Sequence, residues 1–275
     1  MEKGHSVMKQ TGRVTLLLML ILALTAMTLR AQEDSPSRTL TLYDVPPRWL
    51  VDMPTAGTLP RAHYNLGIRI FPNGGGLGYA DIGLSSRFQL GISYGGEQIV
   101  SNDDPNWNNR IGFNLRFRLI DELEFFPAIT IGFTDQGFGR WLADFDRYTY
   151  KSRGFFAVAS RSFYFYRWTS GWHFGVNHSL EDDGDEDKDI NLFGGFDATF
   201  DYNVAIVIEY DAALNDNRSS ASEVTGKGRG YLNSSVKWLF AENLELEVVF
   251  KDLLVNRRES VTFTREVRMT YISRF

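Results

Sequence analysis

The sequence predicts an all-β fold: an antiparallel up-and-down transmembrane β-barrel of about 12 strands, with both termini on the periplasmic side. Three observations predict it. The chain begins with an export signal, most later segments alternate apolar and polar residues, and the connections between those segments alternate in length. The composition agrees, because aromatic residues make up 14% of the chain and are enriched in strands.

Composition and charge exclude several classes of protein. With 43% hydrophobic and 23% charged residues, the chain can bury a sizeable core and is not intrinsically disordered. The absence of cysteine excludes disulfide scaffolds and cysteine-ligated metal sites. A net charge of -5 argues against a basic nucleic-acid-binding face, because neutralising phosphates requires an excess of Lys and Arg. We expect no cofactor and no nucleic-acid partner.

The start of the chain has the pattern of a secretory signal peptide. Lys3, Lys9 and Arg13 precede or flank the start of an apolar run over residues 14–27, and Ala31 provides a small residue before a cleavage point. The run is shorter than the roughly 20 residues of a transmembrane helix, so an uncleaved anchor is the less favoured alternative. We therefore expect cleavage after Ala31 and export to the outer membrane of a Gram-negative-type bacterium.

Three regions follow from this signal. Residues 1–31 form the signal peptide, residues 32–60 form a polar, proline-containing periplasmic lead, and residues 61–275 form the barrel. Loss of the signal removes four basic residues and one acidic residue, which moves the net charge from -5 to -8. The exported chain is therefore acidic.

Alternation of apolar and polar residues marks the strands. In the last segment, Val267, Met269 and Tyr271 share one parity, whereas Glu266 and Arg268 share the other. A period of two places the two sets on opposite faces of a strand. About twelve such segments, most of about ten residues, match the length of tilted transmembrane strands. They begin near Ala62, Leu77, Phe88, Ile111, Leu123, Gly154, Trp168, Ile190, Val204, Tyr231, Leu244 and Val261.

The connections between these segments differ systematically in length. Those after even-numbered strands are short: 85–87, 121–122, 166–167, 201–203 and 241–243. Four of those after odd-numbered strands are long: 96–109, 134–153, 179–189 and 212–230. Outer-membrane barrels have short periplasmic turns and long outer loops, and an even strand count then places both termini in the periplasm.

A soluble β-sandwich is the alternative, since its strands would show a similar alternation. Three features favour the membrane barrel. The polar parity is often charged, aromatic residues gather near the short turns, and the chain ends in a strand whose last residue is Phe275. Tyr271 and Phe275 resemble the C-terminal assembly signal of outer-membrane barrels. We expect outer-membrane lipid and the barrel-assembly machinery as partners.

Several short motifs carry a resemblance to a known family. They are 126–135 (FPAITIGFTD), 152–161 (SRGFFAVASR), 194–197 (GGFD), 208–211 (IEYD) and the opening 53–57 (MPTAG). This series resembles the YjbH-like outer-membrane β-barrel proteins associated with exopolysaccharide, as a single short barrel over residues 52–275. The resemblance implies a role in export, with polysaccharide or periplasmic export proteins as partners. It supplies no catalytic residues.

Charged residues on the polar parity predict a network in the lumen. Its members are Arg69, Arg116, Arg118, Arg161, Asp197, Glu209, Asp211, Glu245, Glu247 and Glu266. The basic members come early in the chain and the acidic ones late, so opposite walls are expected to carry opposite signs. Either these charges pair and fill a narrow interior, since isolated buried charges are costly, or they face water and sort solutes. A barrel of about 12 strands lies between the filled and the open sizes, so both alternatives stand.

Two loop features have both a binding and a structural interpretation. The acidic run 181–189 fails the EF-hand pattern and is either a solvated loop or a weak divalent-cation contact. Its candidate contacts are Asp182, Asp183, Asp185 and Asp187. Trp107 and Trp141 lie among polar loop residues, as in a sugar-stacking surface and equally in loops that fold in to cap a pore. We expect no dedicated metal site.

These observations predict a non-enzymatic outer-membrane barrel that assists envelope or exopolysaccharide export or assembly. The alternative is a passive, porin-like channel for small solutes. A third hypothesis is an enzyme at the outer rim, built on His178. Residues 91–95 (GISYG) match the G-x-S-x-G pattern, but that motif needs a strand-turn-helix context and here lies within a predicted strand. We therefore assign no catalytic residue.

Overall fold

The computed structural model describes residues 45–102, 104–201, 203–218 and 224–275. The predicted signal peptide and the first part of the predicted lead lie outside these ranges. In the described part of the chain, no helix is long and apolar enough to cross a membrane. Regular structure there is almost all strand, apart from a 3-10 turn at Ala143–Phe145.

Twelve long antiparallel strands form the wall of a barrel. They are β1 (His63–Phe71), β2 (Gly75–Gly83), β3 (Phe88–Glu97), β4 (Gly112–Ile120), β5 (Ala128–Thr134), β6 (Gly154–Tyr164), β7 (Trp168–His178), β8 (Asn191–Phe200), β9 (Val204–Asp211), β10 (Tyr231–Ala241), β11 (Leu244–Lys251) and β12 (Thr264–Arg274). Each pairs with its neighbours along the chain, and β1 also pairs with β12, so the sheet closes on itself. The predicted up-and-down barrel is confirmed, and closure leaves no open sheet edge.

Two strands begin later than the alternation predicts, and one of them is β12, which begins at Thr264 rather than near Val261. β5 begins at Ala128 rather than near Leu123. Leu123 N donates to Phe126 O over 2.9 Å and closes a tight turn, which Pro127 follows. The turn is itself rich in apolar residues, so the sequence pattern continues through it although the strand does not.

The outer surface of the wall is apolar. On β1, Leu66, Ile68 and Ile70 expose 49%, 47% and 46% of their surface, whereas Asn65 and Arg69, on the other parity, are buried. An apolar outside around a polar inside is the arrangement of a barrel whose outer wall faces lipid. Aromatic rings also cluster where a lipid interface would lie; the rings of Phe165 and Trp168, for example, stack with centres 4.1 Å apart.

The two ends of the barrel differ. At one end lie most of the short turns and both ends of the wall, where Phe275 N donates to Ala62 O over 3.0 Å; we call it the short-turn end. At the other, the long-loop end, lie the tight turn 72–74 and the described parts of the connections 98–111, 135–153, 179–190, 212–230 and 252–263. Within 135–153, the strands Phe138–Leu142 and Arg147–Tyr150 pair as a hairpin, which we call the roof hairpin.

Residues 45–60 lie inside the barrel, and we call them the plug. Both ends of the plug are at the short-turn end, where Val45 and Leu59 pack with Ile272 of β12. Between them the chain turns, with Leu50 N donating to Met53 O over 2.9 Å. Leu50, Met53 and Leu59 are fully buried.

The position of the plug differs from the sequence expectation. The sequence predicts residues 32–60 as a lead in the periplasm, and the described part of that lead instead lies in the lumen. The physical reason is that the plug offers backbone N–H and C=O groups to a wall of polar side chains, which satisfy one another in place of water.

Candidate functional site

The tip of the plug is held through its backbone by Glu209 of β9. The Oε2 atom of Glu209 accepts three consecutive N–H groups, from Val51, Asp52 and Met53, at 2.9, 2.7 and 2.7 Å. Its Oε1 accepts from Asn233 Nδ2 at 2.8 Å. Because Glu209 is fully buried, these donors stabilise its charge where water cannot.

Basic residues of β4 hold the sides of the plug. Arg116 Nη1 donates to Arg48 O at 2.6 Å, and the Arg116 guanidinium lies 4.2 Å from the centre of the Trp49 ring. Arg118 donates from Nε and Nη2 to Ala56 O at 3.2 and 2.9 Å. These two predicted lumen residues therefore contact the plug directly.

At the tip, Asp52 enters a group of wall charges. Its Oδ1 lies 2.9 Å from Arg69 Nη1 and 3.0 Å from Arg268 Nη2, and its Oδ2 lies 2.5 Å from Lys251 Nζ. Glu266 lies among the same three cations, at 2.6 Å from Arg69, and Glu247 lies 3.6 Å from Arg268. We call Arg69, Glu247, Lys251, Glu266 and Arg268 the seam cluster. All five side chains are buried.

The roof hairpin covers the seam cluster from the long-loop end. The Phe138 ring centre lies 3.9 Å from the Arg69 guanidinium, and the Tyr150 ring centre lies 3.9 Å from Lys251 Nζ. Arg147 anchors the hairpin to neighbouring loops, with its Nη1 2.5 Å from Asp185 and 2.9 Å from Asp216. The seam cluster therefore lies between the plug and the roof hairpin.

A cavity of about 690 Å³ remains in the lumen beside the plug. Its lining includes Trp49 and Ala56 of the plug, Phe138 of the roof hairpin, and Ser162, Thr199, Lys237, Glu245 and Arg268 of the wall. This volume is in the range that holds small solutes. The wall side chains by themselves do not fill the barrel.

A second wall group contacts the plug through Ser160. His173 Nδ1 lies 2.7 Å from Ser160 Oγ, and His173 Nε2 lies 2.8 Å from Asp197 Oδ1. A Cβ on Gly171 would lie 2.5 Å from Asp197 Oδ1, so glycine makes room for this pair. Ser160, His173 and Asp197 are hydrogen-bonded in the order of a Ser-His-Asp catalytic triad. Ser160 Oγ, however, also accepts Ala56 N–H at 2.8 Å, which makes it an anchor of the plug.

Most of the predicted lumen charges face the interior. The structure places there Arg69, Arg116, Arg118, Asp197, Glu209, Asp211, Glu245, Glu247 and Glu266. Asp211 pairs with Arg153, with Nη1 and Oδ2 2.9 Å apart. Lys251 and Arg268 also belong to this network and were not predicted, although their parity places them on the same face of their strands as Glu247 and Glu266. Ser160 was not predicted either, since a serine in a strand has no distinguishing pattern.

The prediction that Arg161 faces the lumen is wrong, because its side chain faces outward. On β6 it pairs across the sheet with Trp172 of β7, which exposes 58% of its surface. Its Nη1 donates to Phe126 O in the turn before β5 at 3.3 Å. Since Ser160 points inward, the period of two turns Arg161 outward. The segment 155–159 (FFAVA) is apolar on both parities, so the sequence alone could not set its orientation.

Several of the loop residues predicted as cation or sugar contacts instead pack in or around the roof hairpin. Asp185 is buried between Arg147 and Lys151, Asp187 Oδ2 accepts Asn217 N at 3.2 Å, and Asp182 and Asp183 are more exposed. Among the described residues, no three His, Cys, Asp or Glu side chains are arranged to hold a metal. Trp141 packs edge-on against Tyr148 within the hairpin, with centres 4.9 Å apart, whereas Trp107 stacks on the outward-facing Tyr94.

The remaining candidates lie at the margins of the wall. Ser93 of the G-x-S-x-G match sits in β3, where its Oγ donates to Gln136 Oε1 at 2.8 Å. His178 ends β7, and within the described ranges its ring makes no hydrogen bond to a hydroxyl or a carboxylate. Tyr271 and Phe275 are exposed on the outer face beside Tyr64.

Comparison with known proteins gives matches of architecture alone. The sequence matches no protein-family model and no curated protein, so the resemblance to YjbH-like proteins stays a prediction. Among solved structures, the KdgM porin is 12% identical with a TM-score of 0.45, over 76% of this chain and 98% of that one. An outer membrane channel from Pseudomonas putida F1 is 12% identical with a TM-score of 0.47, over 78% and 97%. The Acinetobacter baumannii outer membrane protein Omp33 is 7% identical with a TM-score of 0.44, over 79% and 99%.

Proposed function

We propose that the protein is a porin-like outer-membrane channel for small hydrophilic solutes, held closed by its own plug. The observation that supports this is that a chain segment, residues 45–60, occupies a lumen that the wall side chains leave open. Without it, the wall would enclose a water-filled path lined by charged side chains. In this proposal the long-loop end faces the outside and the short-turn end faces the periplasm.

The contacts of the plug suit a segment that can leave. Glu209, Arg116 and Arg118 hold it by hydrogen bonds, and water can replace these bonds in an open lumen. The net contribution of a hydrogen bond to a charged group is about 1.5–3 kcal/mol, because water bonds replace protein bonds when the contact breaks. The plug is thus held by many separate contacts, which a solute or a partner can exchange one after another.

The test is the conductance of single barrels in a planar bilayer, compared between the full chain and a variant lacking residues 46–58. Folding of each is established first from the difference in gel mobility between unheated and boiled samples. We expect the full chain to be closed most of the time and the deletion variant to show sustained, uniform conductance steps. A folded, inserted deletion variant that passes no current would contradict the channel.

The deletion variant also tests which charges line the path. Arg116→Glu should shift its ion selectivity towards cations, because Arg116 faces the lumen. Arg161→Glu is the matched control, since Arg161 faces outward and should leave the reversal potential unchanged. Equal shifts in the two variants would argue that the current does not pass through the barrel.

A second candidate function is a closed component of envelope or exopolysaccharide export. It is supported by the occupied lumen and by the motif resemblance over residues 52–275. A bacterial strain that lacks the protein distinguishes the two. Loss of surface polysaccharide with unchanged solute uptake supports the export component, and slower solute uptake with unchanged polysaccharide supports the channel.

A further inference from the structure

The tip of the plug places one carboxylate in a pocket that the wall provides. Arg69 and Arg268 are register partners across β1 and β12, and both face the lumen. Like charges directly opposite each other destabilise a sheet. The Oδ1 atom of Asp52 lies about equally far from both, at 2.9 and 3.0 Å, and its Oδ2 reaches Lys251 at 2.5 Å. Three cations thus converge on one carboxylate.

The charge balance of the seam cluster favours a single negative charge at this position. Its three cations face two carboxylates, Glu247 and Glu266, which leaves one positive charge in excess. Asp52 supplies the missing negative charge. Lys237, 3.9 Å from Glu247, and nearby Glu245 add one charge of each sign and leave the balance unchanged. The nearby charge of Glu209 is met by backbone N–H groups and Asn233.

We propose that the seam cluster is a binding site for the carboxylate group of a small solute, and that Asp52 occupies it as an internal substitute. The inference rests on the proposed channel, because a solute on its path would compete with Asp52 and so loosen the plug. Glu266, 2.6 Å from Arg69, repels a second negative charge. The site therefore prefers a monocarboxylate to sulfate or phosphate.

The surroundings of the pocket suit the rest of such a solute. On the long-loop side, Phe138 and Tyr150 place their rings over Arg69 and Lys251. Aromatic faces beside cations accept the carbon skeleton of a bound molecule while the cations hold its charged end. Because the roof hairpin carries both rings, binding from that side would involve the hairpin.

The experiment uses Asp52→Ala in the folded full chain in detergent, with acetate as the probe. The variant vacates the pocket, and its unfolding temperature should fall below that of the wild type. Acetate should restore about half or more of that fall in a saturable way, because a bound ligand stabilises the folded state. Chloride and sulfate at equal ionic strength should not restore it. The unfolding temperature of the wild type, in which Asp52 already occupies the pocket, should change no more with acetate than with chloride.

Two matched variants sharpen the result. Asp52→Ala/Lys251→Met lacks the ammonium group that lies 2.5 Å from Asp52 and should lose the acetate response. Asp183→Ala removes an exposed carboxylate and should show neither the fall nor the response. An acetate effect no larger than that of chloride, or one that persists without Lys251, would overturn the site.

A second measurement covers the case in which Asp52→Ala does not fold. In the wild type, acetate should speed tryptic cleavage after Arg48 in the plug several-fold relative to chloride, and equal rates would overturn the proposal. The two proposals fail separately. Acetate rescue with a silent deletion barrel would retain the site and refute the channel, whereas conductance without rescue would retain the channel and refute the site.

Discussion

Arg69 lies directly opposite Arg268 across the seam at which β1 and β12 close the barrel. Both side chains are buried, so water screens their repulsion little. The acids around them compensate, and one of those acids, Asp52, belongs to the plug rather than to the wall. Closure of the barrel and insertion of the plug are therefore electrostatically coupled.

This coupling predicts a non-additive pair of substitutions. Asp52→Asn and Arg268→Gln should each lower the free energy of unfolding by about 3–5 kcal/mol, because each leaves a buried partner uncompensated. The double variant should lose less than the sum, by about 0.5–3 kcal/mol. Urea unfolding in detergent measures all four proteins, and strictly additive losses would show that the two side chains do not share a network.

Substitution of Glu209 should show how strongly the tip of the plug is held in the lumen. Glu209→Gln keeps the shape of the side chain but removes the charge that accepts three backbone N–H groups. Hydrogen bonds to a charged group contribute about 1.5–3 kcal/mol, so channel openings should become at least about tenfold more frequent. Single-channel recording measures this.

The control for that variant is Glu245→Gln. Glu245 lines the cavity and, in the described part of the chain, makes no hydrogen bond to the plug. Its replacement should leave the opening frequency close to that of the wild type. If both substitutions raised it equally, lumen charge rather than the grip on the tip would control opening.

Substitution of Ser160 should cause a loss of stability that substitution of another buried serine does not cause. Ser160→Ala leaves Ala56 N–H and His173 Nδ1 without their partner and should cost about 1–3 kcal/mol. Ser235 is also buried on the lumen side, but its hydroxyl has no hydrogen-bond partner among the described atoms. Ser235→Ala should therefore be neutral or stabilising. Thermal unfolding compares them, and equal losses would remove the anchoring role of Ser160.

Glu181 predicts a pH dependence at the long-loop end. It accepts Tyr148 N–H of the roof hairpin at 3.0 Å, and burial raises the pKa of its carboxyl above the ordinary value. A raised pKa means that the folded chain binds the proton more tightly than the unfolded chain. The contribution of Glu181 to stability is therefore greatest in acid and is lost as the pH rises through its folded pKa.

The variant Glu181→Gln tests the direction of this pH dependence. It should unfold at a higher temperature than the wild type at about pH 7–8 and lose this advantage at about pH 4, below the ordinary carboxyl pKa. Glu186→Gln, at an exposed position in the same loop, should match the wild type throughout. A constant difference between Glu181→Gln and the wild type across this range would contradict the assignment.

The sequence by itself determined the wall of the barrel. Alternation is a local property, and in β1 or β12 it places Ile68 and Met269 on the outer face and Arg69 and Arg268 in the lumen without knowledge of any neighbour. The number of strands and the two kinds of connection follow from the same local pattern. Where the pattern was ambiguous, at residues 155–159, the orientation of Arg161 was predicted wrongly.

Only the tertiary structure decided what occupies the lumen enclosed by the wall. The plug has no periodicity, and its partners are remote in the chain: Asp52 and Arg268 are 216 residues apart, and Met53 and Glu209 are 156 apart. Whether lumen charges face water or protein depends on such contacts, since a polar strand face is equally satisfied by either. The sequence could therefore name most of the lumen residues, but the segment that occupies the space between them became visible only in the folded chain.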